Sequence, residues 1–275
     1  MSRMKPFLKW AGNKYQIIER IKAVLPPGKR LIEPFVGSGA VFLNTEYPSY
    51  LLGDANADLI NLYQQLQAGG QRFIEYCRPF FVPENNQAER FYELRQQFNS
   101  TVDPVEKAAI FVYLNKHCYN GLCRYNASGR YNVPFGRNRS PYFPEREMQI
   151  FYDYATRAKF LHADFLDVMK MADRGDVVYC DPPYVPLSAT AHFTSYSSEK
   201  FGSEKQIVLA LAAEQLSALE IPVLISNHLT NFTESIYNKA SLTTFHVRRS
   251  ISCNASNRNH ACEVLALYST LRDEK

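Results

Sequence analysis

The chain has 275 residues, of which 46% are hydrophobic and 21% charged, with a formal net charge of +4. That length buries a sizeable core in one domain, or in one domain that carries an insertion. The six cysteines include no C-x-x-C pair and the six histidines no H-x-x-x-H spacing, so neither a disulfide framework nor a metal site is expected. No stretch approaches the roughly 18 apolar residues of a membrane helix, and the first residues lack an apolar core, so a reduced, cytoplasmic protein is expected.

Arg30-Leu31-Ile32 reads as a short strand, Gly37-Ser38-Gly39 as a turn, Ala40 to Asn44 as the start of a helix, and Tyr50 to Asp54 as a second strand. Strand, glycine turn, helix, strand and acid in that order form the layout of a mononucleotide-binding unit. From Asp58 to about His117 the periodicity is helical. Gln87 to Phe98 is amphipathic, and Asp103-Pro104-Val105-Glu106 offers an N-cap, a proline at N1 and an acid at N3. Residues Cys118 to Pro144 are rich in Gly, Asn and Arg, with Ala127-Ser128-Gly129 a hairpin turn between Tyr125 and Tyr131. Strands resume at Ala158 to Ala163, Val177 to Cys180 and Ile221 to Ser226, with a helix from about Ser203 to Leu219. The end reads as antiparallel, Leu242 to Ile251 and Glu263 to Tyr268 around a polar loop, Ser252 to Ala261. The simplest architecture is one α/β domain split by a helical, basic insertion: 1–56, then 57–144, then 145–275.

Asp181-Pro182-Pro183-Tyr184 ends the apolar run Val177 to Cys180. An aromatic amine such as N6 of adenine is a poor nucleophile because its lone pair is spread into the ring, and two acceptors aimed at its N–H groups localise that pair. Asp181 offers a carboxylate, and the prolines keep the turn extended with carbonyls presented, so that of Pro182 can be the second acceptor. Tyr184 supplies a flat face for a base lifted out of a duplex. Taken alone, the same residues also fit a strand ending in a proline turn. The glycine turn lacks the third glycine of the dinucleotide fingerprint, which suits a nucleoside cofactor such as S-adenosylmethionine, needing close backbone approach but no pyrophosphate cradle. Asp54 stands where a ribose-binding acid belongs, and Asp164-Phe165 could meet an adenine; each acid alone fits a helix N-cap equally well. Between Lys107 and Pro144 there is no Asp or Glu, while six Lys and Arg alternate with aromatics. That mixture suits a nucleic-acid face, or a solvated basic loop.

Phe7-Leu8-Lys9-Trp10-Ala11-Gly12-Asn13-Lys14, Glu33-Pro34-Phe35-Val36-Gly37-Ser38-Gly39, Asn115 to Asn126, Asn132-Val133-Pro134-Phe135-Gly136-Arg137 and Asp181-Pro182-Pro183-Tyr184 stand in one order. Together they resemble the Dam family of DNA adenine-N6 methyltransferases, from about Lys5 to Tyr268. The resemblance implies a Rossmann-like methyltransferase sheet, mostly parallel with an antiparallel C-terminal hairpin. It also implies an inserted, mainly helical target-recognition domain containing a β-hairpin. The activity implied is transfer of a methyl group from S-adenosylmethionine, without a metal, to a flipped adenine in the duplex sequence GATC. Trp10, Ala11, Gly12, Lys14, Phe35, Gly37, Asp54, Asp164, Phe165 and Asp181 would hold the cofactor. Asp181 and the Pro182 carbonyl would bind N6, and Tyr184 would stack on the base. Lys9 would meet the guanine-bearing end of the site, with Leu122, Arg124 and Pro134 reading further bases. Tyr119 and Asn120 would fill the gap that the adenine leaves. Arg95, Lys116, Asn126, Asn132, Arg137 and Arg139 would touch phosphates. The partner implied is double-stranded DNA, with no membrane, met by a monomer that is cytoplasmic and nucleoid-associated.

Two positions depart from the family. Asn13 stands where a second glycine is common, and is expected to tolerate a left-handed backbone. Asn138 stands where many members carry Tyr, so discrimination of the outer base pair is expected to change. The polar loop Pro186 to Tyr196 is a candidate lid over the extruded base. Competing readings are an RNA or cytosine-N4 methyltransferase, a catalytically silent DNA-binding module, and a nicotinamide oxidoreductase, which would want the absent third glycine.

Overall fold

The computed structural model describes residues 3–185, 201–247 and 261–269. Seven strands form one sheet in the order β3-β2-β1-β4-β5-β7-β6. They are β1 (Arg30–Glu33), β2 (Ser49–Asp54), β3 (Ala158–His162), β4 (Asp176–Cys180), β5 (Val223–His228), β6 (Ser241–Val247) and β7 (Ala261–Tyr268). β1 pairs with β4 and β4 with β5 in parallel, whereas β7 lies antiparallel to both β5 and β6. The fold is therefore the expected Rossmann-like α/β sheet with an antiparallel C-terminal hairpin. Strand order reverses between β1 and β4, and ligands of open α/β sheets bind outside the carboxyl ends of strands at such a switch. The proposed lid, Pro186 to Tyr196, lies outside the described residues, as do the polar loop 252–260 and the end of the penultimate strand beyond Val247.

The backbone clusters into two compact units, one of Met1–Ile18, Val36–Glu46 and Leu52–Ala163, the other of Glu19–Phe35, Tyr47–Leu51 and Asp164–Lys275. The first is mainly helical, with α2 (Ala57–Gly69), α3 (Gln71–Cys77), α4 (Ala88–Ser100), α5 (Pro104–His117) and α6 (Glu145–Ala155). Every residue of α5 from Ala108 to His117 is buried, because a helix that is apolar nearly all round needs neighbours on every side. α2, α3 and α4 supply them. The cap is the expected one: Asp103 Oδ1 accepts from the amides of Val105 and Glu106, with Pro104 at N1. Met148, Phe151 and Ala155 of α6 are also buried, and Phe151 stacks on Tyr63 and Phe160.

The second unit holds α1 (Ile18–Val24), most of which lies in it, α7 (Phe165–Met169), α8 (Ser203–Ala218) and α9 (Asn231–Ile236) together with β1 and β4 to β7. β4 is buried at all five positions, as a central parallel strand must be. Asp176 at its start pairs with Arg30 of β1 at 2.5 Å, tying the two strands at the edge away from the switch.

One expected element is absent. Between β1 and β2 only a single 3-10 turn, Phe42–Asn44, forms where a helix was expected from Ala40. The chain returns to the sheet at Ser49, and Phe42 and Leu43 drop into the core instead of starting a helical face.

Candidate active site and DNA interface

The end of β4 is built as a rigid acceptor platform. The parallel register sets Cys180 beside Ile225, which brings Ser226 next to Asp181. Ser226 Oγ donates to Asp181 Oδ1 at 3.1 Å and lies 3.0 Å from Tyr179 Oη. Gln206 of α8 donates through Nε2 to the Pro183 carbonyl at 2.8 Å, and its Oε1 accepts from Asn227 Nδ2 at 3.1 Å. Asn227 also reaches Tyr237 Oη at 3.0 Å and accepts from the Val185 amide at 3.2 Å. Among the described residues nothing donates to the carbonyl of Pro182, whereas that of Pro183 is taken by Gln206. Tyr184 packs edge-on against His228, with Oη 3.4 Å from Glu263 Oε2. Burial first, then the charges of Asp181 and Glu263, pushes its phenol well above the ordinary range. In the same unit Phe35 stacks on Phe165 at 5.4 Å and Phe201 stands edge-on to both, while Asp164 caps α7 by accepting from the Leu166 amide.

The glycine turn belongs to the first unit. Gly37 has φ +48°, and a Cβ there would lie 3.0 Å from Nε1 of Trp10, so the indole rests directly on the backbone of the turn. Asp54 at the end of β2 accepts from the Gly37 amide through Oδ2 at 3.1 Å and from the Asn56 amide through Oδ1 at 2.9 Å. Burial raises its carboxyl above the usual range, against the pull of those amides. Tyr63 Oη donates to the Gly37 carbonyl at 2.5 Å. Lys14 is buried and donates to the Gly12 carbonyl at 2.5 Å. Asn13 stands in the second-glycine position without needing the left-handed backbone it was expected to tolerate. Its φ is −51° and Gly12 takes the positive φ, so Asn13 is free to cap the next turn by accepting from the Tyr15 amide.

The basic insertion lies in the same unit. Asn115 of α5 clamps the main chain of Lys9, accepting from its amide at 2.9 Å and donating to its carbonyl at 2.7 Å. A Cβ at Gly121 would come within 2.3 Å of Lys9 Cβ, so the recognition turn and Lys9 fit only with glycine at 121. Lys116 is itself buried at 3% exposure, its ammonium over the Tyr142 ring, and burial followed by the charge of Lys9 lowers it to about 8. Its carbonyl accepts from Lys9 Nζ at 3.5 Å and from Asn138 Nδ2 at 3.1 Å. The hairpin forms as expected, with Asn126 accepting through Oδ1 from the amides of Ser128 and Arg130 and Tyr125 bridging Tyr131. Arg124 forks onto Asn132, and Arg95 donates to the Val133 carbonyl and lies over Tyr92. Tyr119, Asn120, Arg124, Asn126, Pro134, Arg137 and Arg139 are exposed, Leu122 and Asn132 half-buried. Asn120 and Arg137 both take positive φ.

The profile of the D12 class N6 adenine-specific DNA methyltransferases matches residues 10–251. The chain belongs to this family. It is 50% identical over 268 residues to the DNA adenine methylases of Salmonella typhi and Escherichia coli K12, covering 98% of this chain and 96% of each relative. It is 49% identical to that of Serratia marcescens, covering 98% of this chain and all of the relative. Among solved structures it resembles an rRNA methyltransferase from Streptomyces viridochromogenes (TM-score 0.36, 12% identity, 92% of this chain and 83% of that) and a human methyltransferase 10 domain containing protein (TM-score 0.39, 8% identity, 94% and 82%).

As an adenine methyltransferase the chain acts on DNA, and among the described residues no helix is long and apolar enough to cross a membrane. Four residues that brace the acceptor end of this methyltransferase, Ser226, Asn227, Gln206 and His228, are absent from the motif reading. The signal for three of them was their position at the carboxyl end of the strand next to the Asp181 strand. Gln206 had none, its nearest neighbours on the buried helix face being Leu209, Ala210 and Ala213.

Proposed function

We propose that this methyltransferase uses S-adenosylmethionine, without a metal, to methylate N6 of an adenine flipped out of duplex GATC. The observation that carries the reading is the acceptor platform, a carboxylate fixed by Ser226 beside a proline carbonyl that no described donor occupies. The residues fit the cofactor on three counts. In one unit the Trp10 indole lies on the backbone of the Gly37 turn and Asp54 is anchored on that turn, and in the other Phe35 and Phe165 form a stacked aromatic pair. Trp10, Ala11, Gly12, Lys14, Phe35, Gly37, Asp54, Asp164, Phe165 and Asp181 would hold it. When bound, it supplies an electrophilic methyl on a sulfonium.

Asp181 accepts one N6–H and the Pro182 carbonyl the other, which draws the nitrogen toward tetrahedral geometry and localises its lone pair. Tyr184 offers its ring to the base. Asp181 need not be a strong base, because N6 becomes acidic only once it is substituted and its proton can pass to water. Lys9, Leu122, Arg124 and Pro134 would read bases, with Tyr119 and Asn120 in the vacated space. Arg95, Asn126, Asn132, Arg137 and Arg139 would meet phosphates, and Lys116 would do so only by turning its ammonium away from the Tyr142 ring. Residues 57–144 would serve as the recognition domain between catalytic parts 1–56 and 145–275, in a monomer of the cytoplasm associated with the nucleoid.

Asp181→Ala tests this: DNA binding within about twofold of wild type and turnover down at least about a hundredfold are expected, the loss typical of one oriented polar group. Near-normal methylation by that variant, or equal rates on duplexes altered at each GATC position, would refute the reading.

A further inference from the structure

The polar contacts around the start of α2 have no part in the proposed chemistry, yet they join two functional regions. Asp54, on the glycine cradle, accepts from the Asn56 amide at 2.9 Å. The Asn56 side chain caps α2, accepting from the amides of Asp58 and Leu59 at 3.1 Å each. Its remaining N–H group points at the hairpin and reaches Cys123 Sγ at 3.4 Å. Next to it Tyr125 Oη donates to Asp58 Oδ2 at 2.8 Å, while Lys107 holds the other oxygen of that carboxylate at 2.9 Å. Along the first arm of the hairpin side chains alternate in direction. Arg124 and Asn126 are exposed, and Cys123 and Tyr125, less exposed, turn inward to α2. Burial and the neighbouring Cys123 and Asp58 push the Tyr125 phenol far above its ordinary value, so it stays a donor.

We propose that Tyr125 is a positioning residue that couples cofactor binding beside Asp54 to DNA binding by the hairpin, through its bond to Asp58 at the cap of α2. The inference rests on the functional reading above. The inward face of the arm is fastened two residues downstream of Asp54's own partner, so a hairpin set by DNA biases the cradle, and an occupied cradle biases the hairpin. Coupling between two binding sites is reciprocal by thermodynamic necessity.

The test titrates S-adenosylhomocysteine into wild type and Tyr125→Phe by calorimetry, with and without a GATC duplex. Wild type is expected to bind it at least about fivefold tighter with DNA present, the lower end of ordinary couplings. Tyr125→Phe should bind it like wild type without DNA but bring the ratio to within about twofold of unity, whereas a merely structural role would weaken both affinities together. Asp58→Ala removes the acceptor instead of the donor and gives the same readout if Tyr125→Phe folds poorly. A wild-type ratio retained in a folded variant overturns the proposal, as does a wild type that binds both ligands without tightening. A wild type that binds neither overturns the functional reading with it.

Discussion

Ser226 lies between Ile225 and Asn227 near the end of β5, and its hydroxyl reaches Tyr179 and Asp181 from an almost solvent-free position. It touches no reacting atom in the proposed chemistry, so its work is to hold the Asp181 carboxylate at one rotamer. Ser226→Ala should therefore lower kcat by about tenfold, near 1.4 kcal/mol, while KM for DNA stays within about twofold, as steady-state kinetics on a GATC duplex would show. An equal rise in KM would mean that Ser226 acts on binding instead. The same substitution strands the buried Tyr179 hydroxyl, a loss of about 1–3 kcal/mol in stability that urea unfolding would register. At this scale the sequence was informative where a polar residue followed an apolar run, as at Asp54, Asp164 and Asp181. It was silent where a polar residue sat inside one, because the partner that gives Ser226 its meaning lies on another strand.

Among the elements, α5 is the buried axis of the helical unit, and its start depends on one side chain. Asp103→Ala removes the acceptor for two amides, which costs about 1 kcal/mol. A melting temperature lower by a few degrees is expected, with methylation per folded molecule unchanged. The first four strands were legible because each is a short apolar run closed by Gly, Asp or Pro, and α4, α5 and α8 because they are long enough to show a period. The helix expected from Ala40 does not form, although a glycine turn after a strand so often opens one. Here Gly39 has φ +72° against the Phe151 ring, and the next residues fill the core. α6 carried its period in Met148, Phe151 and Ala155, yet it follows an aromatic-rich loop whose composition hid the change. The platform behind Asp181 depends on pairing and register between β4 and β5, which no local pattern encodes.

For the molecule as a whole, His117 links the stability of the insertion to pH. Its ring is buried, stacked on Tyr113 at 3.9 Å, and burial lowers its pKa to about 4. The unfolded chain takes up a proton near pH 6.5 while the native ring stays neutral, so this contribution is complete above about 6.5 and is lost as pH falls toward 4. Melting temperatures should drop across that window, and His117→Gln should flatten the drop; an unchanged slope would assign acid sensitivity to the carboxylates. The segment before the first strand has a different vulnerability. Asn44 pairs with both main-chain groups of Met4 at 2.8 Å, just as Asn115 pairs with both of Lys9, so two carboxamides stand in for a neighbouring strand. Hydrolysis of either amide during storage would turn a donor into a carboxylate facing a carbonyl, and ageing of a purified sample should free this segment one clamp at a time.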